Sequence, residues 1–298
     1  MHLAVLCSPE SWYLKDLSRA AAGRHEVTCV AFRQLAAQVG SAGETFSAGG
    51  VDLAQVDGIL VRTMPPGTLE QVVFRMDVLS RLEAAGKIVI NPARAVETAV
   101  DKYLASVKLA AAGLCSPRMV VCQTVDEAQQ AFESLGGDVV VKPLFGAEGR
   151  GIARLNDPAL AARAFSMLVQ LGAVLYLQEF IPHDGCDLRV LVVGRRMWGM
   201  RRRNPLDWRT NVSRGATAEP LDVTCELADL ARRAAGAIGA PVAGVDLLPG
   251  SDGRLYAIEV NAVPGWQALS RTLQVDVARH VLEFMESLVQ SPGDAARS

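Results

Sequence analysis

Two short stretches hold most of the residues able to do chemistry. In residues 255–266, LYAIEVNAVPGW, the apolar Tyr256, Ile258 and Val260 alternate with Glu259 and Asn261, which a strand would aim the other way. Asp252-Gly253 is a two-residue hairpin signal. With these two at the turn, Asp246 falls directly across from Glu259, and opposed residues share a face. Val245, Leu247, Ile258 and Val260 then form an apolar face, whereas a one-residue slip would separate the acids. Two carboxylates and an amide on one face suit a hard cation such as Mg²⁺, which takes one or two protein carboxylates and completes its shell with phosphate and water. The competing reading is a polar face turned to solvent.

The second stretch, residues 138–152 (DVVVKPLFGAEGRGI), places Lys142 near the end of an apolar strand and Gly146, Gly149 and Gly151 just after it. Glycines let backbone N–H groups approach phosphates, and the lysine adds a fixed charge. A Walker A loop has its lysine after the glycines, and no helix opens within the motif as a dinucleotide fingerprint requires. An ordinary β-turn is the alternative. Between the two stretches lie Arg201, Arg202, Arg203, Arg209 and Arg214. On a strand Arg201 and Arg203 share one face and Arg202 takes the other. Such a run is a solvated surface, or a set of guanidinium forks for carboxylate and phosphate.

The elements that must position these groups follow from periodicity. Strands at HLAVLC, EVTCVAF, DGILVRT and KIVI alternate with helical spacing, notably TLEQVVFRMDVLSRLEAAG ending at Gly86, which implies a small parallel α/β domain. After residue 95 come a helix at KYLASVKLAAAGL, a strand RMVVC, a helix after Thr124, the lysine strand and another helix. The last section has strands AVLYLQEFI, DLRVLVVG and RMWGMRRR, an Ala-rich helix, the acidic hairpin and a terminal helix. The expected division is 1–95, 96–175 and 176–298.

Bulk properties remove several function classes. A net charge of −2 over 298 residues argues against a dominant nucleic-acid or anionic-membrane footprint. Six scattered cysteines without a C-x-x-C pair fit buried thiols in a reducing compartment, and four histidines show no metal-ligand spacing. No apolar run approaches the roughly 20 residues of a membrane span and no basic n-region opens the chain, so a cytoplasmic protein is expected.

In order, Lys102 in VDKYLASVKLAAAGL, Lys142 in VVVKPLFGAEGRGI, LQEFI, GCDLRVLVVG, WRTNVSRGA and GVDLLPG…YAIEVNAVPGW resemble the motifs of ATP-grasp ligases, most closely the RimK-like α-L-glutamate ligases. The resemblance implies an α/β (α+β) ATP-grasp fold behind a small parallel α/β domain, with ATP held between two subdomains. It implies that Lys102, Lys142 and the loop of Gly146, Gly149 and Gly151 meet the phosphates, Glu179 and Phe180 the adenine, and Asp187 the ribose or the phosphate-side network. Asp246, Glu259 and Asn261 would bind two Mg²⁺ ions, or Mn²⁺, with Glu259 bridging. Arg209 and Asn211 would face the reacting phosphate, with Arg201 or Arg203 as the catalytic-side arginine. The implied reaction joins a carboxylate to an amine through an acyl phosphate. L-glutamate is the implied amine, and the acceptor is a small cofactor precursor or a protein or peptide. Trp266 is either a flat surface for an aromatic acceptor or packing for its turn. An ATP-dependent kinase and a non-catalytic nucleotide-binding module are the alternatives, and a homo-oligomer is left open. No nucleic-acid or membrane partner is expected.

Overall fold

The computed structural model of the chain describes residues 1–41, 43–146, 151–210 and 215–290. Its first sheet is parallel in the order β2 (Glu26–Val30), β1 (His2–Leu6), β6 (Gly58–Val61) and β7 (Ile88–Ile90). Both faces are covered, which is why β1 is buried from Leu3 to Leu6. Leu3 and Val5 pack with helices α1 (Trp12–Ala21) and α9 (Val277–Gln290), while Ala4 and Leu6 join a core with α2 (Leu69–Ala84) and α3 (Ala93–Val100). The terminal helix thus lies on the sheet of the first segment. Thr68 caps α2 through a capping box with Gln71, and Gly86, at φ +80°, follows its end.

A small antiparallel sheet of β3 (Leu35–Gly40), β4 (Gly43–Ala48) and β5 (Val51–Asp52) lies outside the expected strand list. Its first strand is exposed beyond Leu35. Among the described residues, no helix is long and apolar enough to cross a membrane.

The middle segment forms an antiparallel sheet in the order β10 (Ala153–Leu155), β9 (Val139–Lys142), β11 (Leu175–Glu179) and β8 (Met119–Cys122). Val139, Val141, Leu175 and Leu177 pack with Phe132 of α5 (Val125–Ser134) and Phe165 of α6 (Pro158–Gln170) in a core of their own. The opposite face is left for the site. Thr124 caps α5, as its position before the helical run predicts.

The largest sheet runs β14 (Thr217–Leu221), β13 (Arg196–Arg203), β12 (Cys186–Val193), β15 (Val242–Pro249) and β16 (Leu255–Asn261), antiparallel throughout. Leu188, Val190, Val245, Leu247 and Val260 on one face pack under α7 (Cys225–Ile238). Helix α4 (Lys102–Ala111) bridges toward the middle sheet, and α8 (Gln267–Leu273) follows the turn after β16. The six cysteines are free thiols.

Candidate active site

Lys142 ends β9 and pairs in register with Tyr176, so both project from the face turned away from α5 and α6. Asp101 caps α4 by accepting from the Leu104 N–H at 3.0 Å, which fixes Lys102 as the first helical residue. One turn on, Ser106 Oγ meets the Tyr176 hydroxyl at 2.9 Å. Lys102, Ser106, Lys142, Tyr176, Ile258 and Glu259 line a common cleft, a narrow one of about 30 Å³. None of the candidate residues lines the more open depression beside Met1, His2 and His25.

Burial pushes the Lys142 ammonium down to about 8 against the opposing pull of Glu259, and Lys102 depresses it further. Burial lowers Lys102 as well, while Glu259 and Asp101 hold it up. Lys102 Nζ donates to the Gly146 carbonyl at 2.6 Å, tying the helix to the start of the glycine loop. Gly146 and Gly151 both have positive φ, +153° and +71°, and a Cβ on Gly151 would press on the Pro143 ring at 3.3 Å. Gly149, between them, lies outside the described residues.

Asp246 and Glu259 are cross-strand partners, as expected. The turn differs from expectation. The loop spans residues 250–254, and a bulge at Ile258 restores the offset between Leu247 and Asp246. Ile258 therefore leaves the apolar face assigned to it. It lines the cleft and packs against the small cluster of Ile181, Leu248 and Tyr256. Asn261 follows on β16, its Oδ1 accepting from the Val263 N–H at 2.7 Å.

Asp246 is 2% exposed and held by two arginines: Arg189 Nε at 2.8 Å and Arg202 Nη2 at 3.0 Å. Burial alone would raise its carboxyl, but Arg189 and then Arg202 more than offset this, and the net shift is downward. Arg202 also forks onto Asp187, which accepts from the Thr210 hydroxyl as well. Burial keeps Asp187 above the usual carboxylate range in spite of Arg202. Register puts Asp187 opposite Arg202 and Arg189 opposite Asp246, all on one face.

This geometry bears on the expected arginine. Arg202, rather than Arg201 or Arg203, shares the face of Asp246 and Glu259. Arg201 and Arg203 point with Cys186 to the other face, where Arg203 reaches Asp184 at 3.8 Å. Asp187, expected at the ribose or the phosphate-side network, is enclosed like Asp246 and braces Arg202 on the same face.

The remaining candidates are placed as follows. The Glu179 carboxylate accepts from the Arg118 N–H at 2.7 Å and its Nε at 2.6 Å, so its side chain anchors the strand end. The N–H groups of Glu179 and Phe180 donate to the carbonyls of Arg118 and Asp138. Phe180 lies under the Arg154 guanidinium at 3.5 Å and edge-on to Trp208. Arg209 forks onto Asp207, and Asn211 lies outside the described residues. Trp266 is fully buried, which removes it as a surface for an aromatic acceptor. Arg189, Arg202, Ser106 and Tyr176 were not singled out as site residues. Alternation with Asp187 in DLR was the signal for Arg189.

Tyr176 and Ser106 supply a prediction. Their hydrogen bond joins the lysine-bearing sheet to the helix that carries Lys102, so it sets the spacing of the two cations. Tyr176→Phe should raise the KM for ATP by about 2–10-fold, the worth of one neutral hydrogen bond, with kcat little changed. Ser106→Ala should match it and the double variant should add nothing, which steady-state kinetics would check.

Two lysines and Glu259 of the acidic ribbon thus line one cleft. The RimK-like ATP-grasp domain family matches residues 99–285. Tetrahydromethanopterin:alpha-L-glutamate ligase of Methanosarcina acetivorans is 32% identical over 273 residues, 82% of this chain and 84% of that one. A probable alpha-L-glutamate ligase of Xanthomonas oryzae is 37% identical over 222 residues, 73% of this chain and 75% of that one. The structure of ATP-grasp ligase PsnB complexed with minimal precursor, Mg, and ADP covers 96% of this chain and 97% of its own, with a TM-score of 0.75 at 21% identity, a likeness of fold. With the family model matching most of its length and a relative at 32% identity, the chain belongs to the RimK-like ATP-grasp family.

Proposed function

We propose that this RimK-type ligase adds L-glutamate, through its amine, to a carboxylate on a small-molecule or peptide acceptor. The observation that carries the reading is the convergence of Lys102 and Lys142 with Glu259 in one cleft. The γ-phosphate of ATP passes to the acceptor carboxylate, giving an acyl phosphate and ADP; the amine displaces phosphate and an amide remains. Lys142 and Lys102 hold the phosphates and offset the charge that develops as the bond to ADP breaks. Asp246, Glu259 and Asn261 carry hard oxygen donors of the kind Mg²⁺ takes, and these residues would hold it, or Mn²⁺ in its place. When bound, the metal neutralises phosphate charge and orients the transfer. Arg189 and Arg202 keep Asp246 ionised and fixed for that task. Arg209 and Asn211, in the segment after β13, are assigned to the reacting phosphate.

The test is ADP release with Mg²⁺, ATP and L-glutamate, using a pool of carboxylate acceptors and hydroxylamine as trap. An acyl hydroxamate and a glutamate mass increment are expected; ATP consumption without either would refute the reading in favour of a kinase.

The buried lysine adds a pH dependence. Its folded pKa, about 8, lies below the ordinary 10.5, so the cation is present below pH 8 and lost above it. The cost of burying the charge follows the same sign: it is borne below pH 8 and relieved between 8 and 10.5. Nucleotide affinity should therefore weaken by up to about tenfold per pH unit above 8. Calorimetric titration from pH 7 to 9 should show this in the wild type, and Lys142→Met should bind weakly but with a flat profile.

A further inference from the structure

Arg62, just beyond β6, is 4% exposed and, among the described residues, carries a charge with no carboxylate paired to it. Its guanidinium carbon is 4.1 Å from the Trp266 ring centroid and 4.6 Å from that of Tyr13. Nη2 donates to the Pro264 carbonyl at 2.7 Å, while buried Nε finds no partner among the described residues. Burial pushes the group down to about 10, with Tyr13 and Cys7 as the charges that resist. Burying a guanidinium against aromatic faces without a counter-ion is costly, and a leucine would fill such a space more cheaply. What the charge secures is the segment that follows Asn261.

Four residues of that segment are gripped by side chains of the first domain. Asn91 Nδ2 donates to the Ala262 carbonyl, and the same side chain also bonds both backbone groups of Val242, at the start of β15. Arg62 holds Pro264. Tyr13 stands so close to Gly265 that a Cβ there would lie 2.6 Å from its hydroxyl. Trp266 stacks on Arg62 and donates Nε1–H to Asp16 at 3.0 Å. Asn261 in turn folds its amide oxygen onto Val263, inside the gripped stretch.

We propose that Arg62 is a positioning residue for the metal-binding end of β16. From the first domain it locks residues 262–266 through Pro264 and Trp266, and so aims Asn261 beside Glu259. The inference rests on the metal reading of Asp246, Glu259 and Asn261.

Mn²⁺ binding in the presence of ADP, followed by electron paramagnetic resonance, tests it without turnover. Arg62→Lys keeps the charge but loses the planar fork; Trp266→Phe keeps an aromatic face but loses the bond to Asp16. In variants that keep the wild-type circular dichroism, Mn²⁺ affinity should fall roughly tenfold, as for lost outer supports of metal ligands. Affinity for ADP without metal should stay unchanged. Should Arg62→Lys fail to fold, Trp266→Phe decides. Wild-type Mn²⁺ affinity in the folded variants would overturn the role of Arg62 alone, and failure of both to fold would reduce the clamp to a structural one. If the wild type retains no Mn²⁺ beside ADP, the metal reading falls and takes the proposal with it.

Discussion

Glu259→Gln is expected to fold as the wild type does and to lose ATP turnover about 100–1000-fold, the 2.7–4 kcal/mol seen when one preorganised electrostatic group is removed. Glutamine keeps the volume and the half-buried position on β16, so neither the bulge at Ile258 nor the core under Val260 is disturbed. What changes is charge. Glu259 is the largest influence holding up both Lys142 and Lys102 against burial. Without it the cleft holds two adjacent cations and half of its acidic pair. Nucleotide alone should still bind, because its phosphates can take the place of Glu259 in keeping the lysines charged, but the Mg²⁺ requirement should no longer saturate in the usual range. Coupled-enzyme detection of ADP, beside a thermal melt, checks both halves. Near-normal ADP release from a folded variant would remove Glu259 from the mechanism.

Arg202→Leu should be the most destabilising single change in the largest sheet, by about 3–5 kcal/mol, because it takes a partner from two buried carboxylates and leaves Asp187 without its cation. Arg189 still serves Asp246, whereas among the described residues Asp187 keeps only the Thr210 hydroxyl and the remote charges of the sheet. Asp187 is already raised by burial, and losing Arg202 raises it further. A carboxyl raised in the folded state is penalised where it must ionise, and the penalty fades as pH falls toward the ordinary carboxylate value. Urea unfolding should therefore show the deficit in full at pH 7 and a smaller one at pH 5. A deficit independent of pH would mean that packing, not charge, explains the loss.

Much of this arrangement is legible in the residues, and the failures have physical causes. The parallel sheet followed from apolar strands alternating with capped helices, and Thr68, Thr124 and Asp101 mark helix starts that the structure keeps. The Asp246–Glu259 pair was found for an incomplete reason. A tight turn at Asp252-Gly253 and a five-residue loop corrected by a bulge lead to the same partner, and periodicity does not distinguish them. Alternation separated Arg202 from its neighbours, but which face meets the cleft depends on pairing with Asp187, 15 residues away along a hairpin whose phase the sequence leaves free. The strands around residues 35–52 escaped because their small and polar residues carry no large apolar alternation. Trp266 and Arg62 lie two hundred residues apart, and only the closed fold brings them into contact.

The bulge at Ile258 has a bearing on how this scaffold tolerates change. The offset is absorbed beside the acids rather than at the hairpin tip, and the tip has anchors of its own, Ser251 donating to the Pro182 carbonyl and Asp252 accepting from the Tyr256 hydroxyl. A reporter tag or tethering sequence spliced into the tip would therefore have to leave both anchors in place.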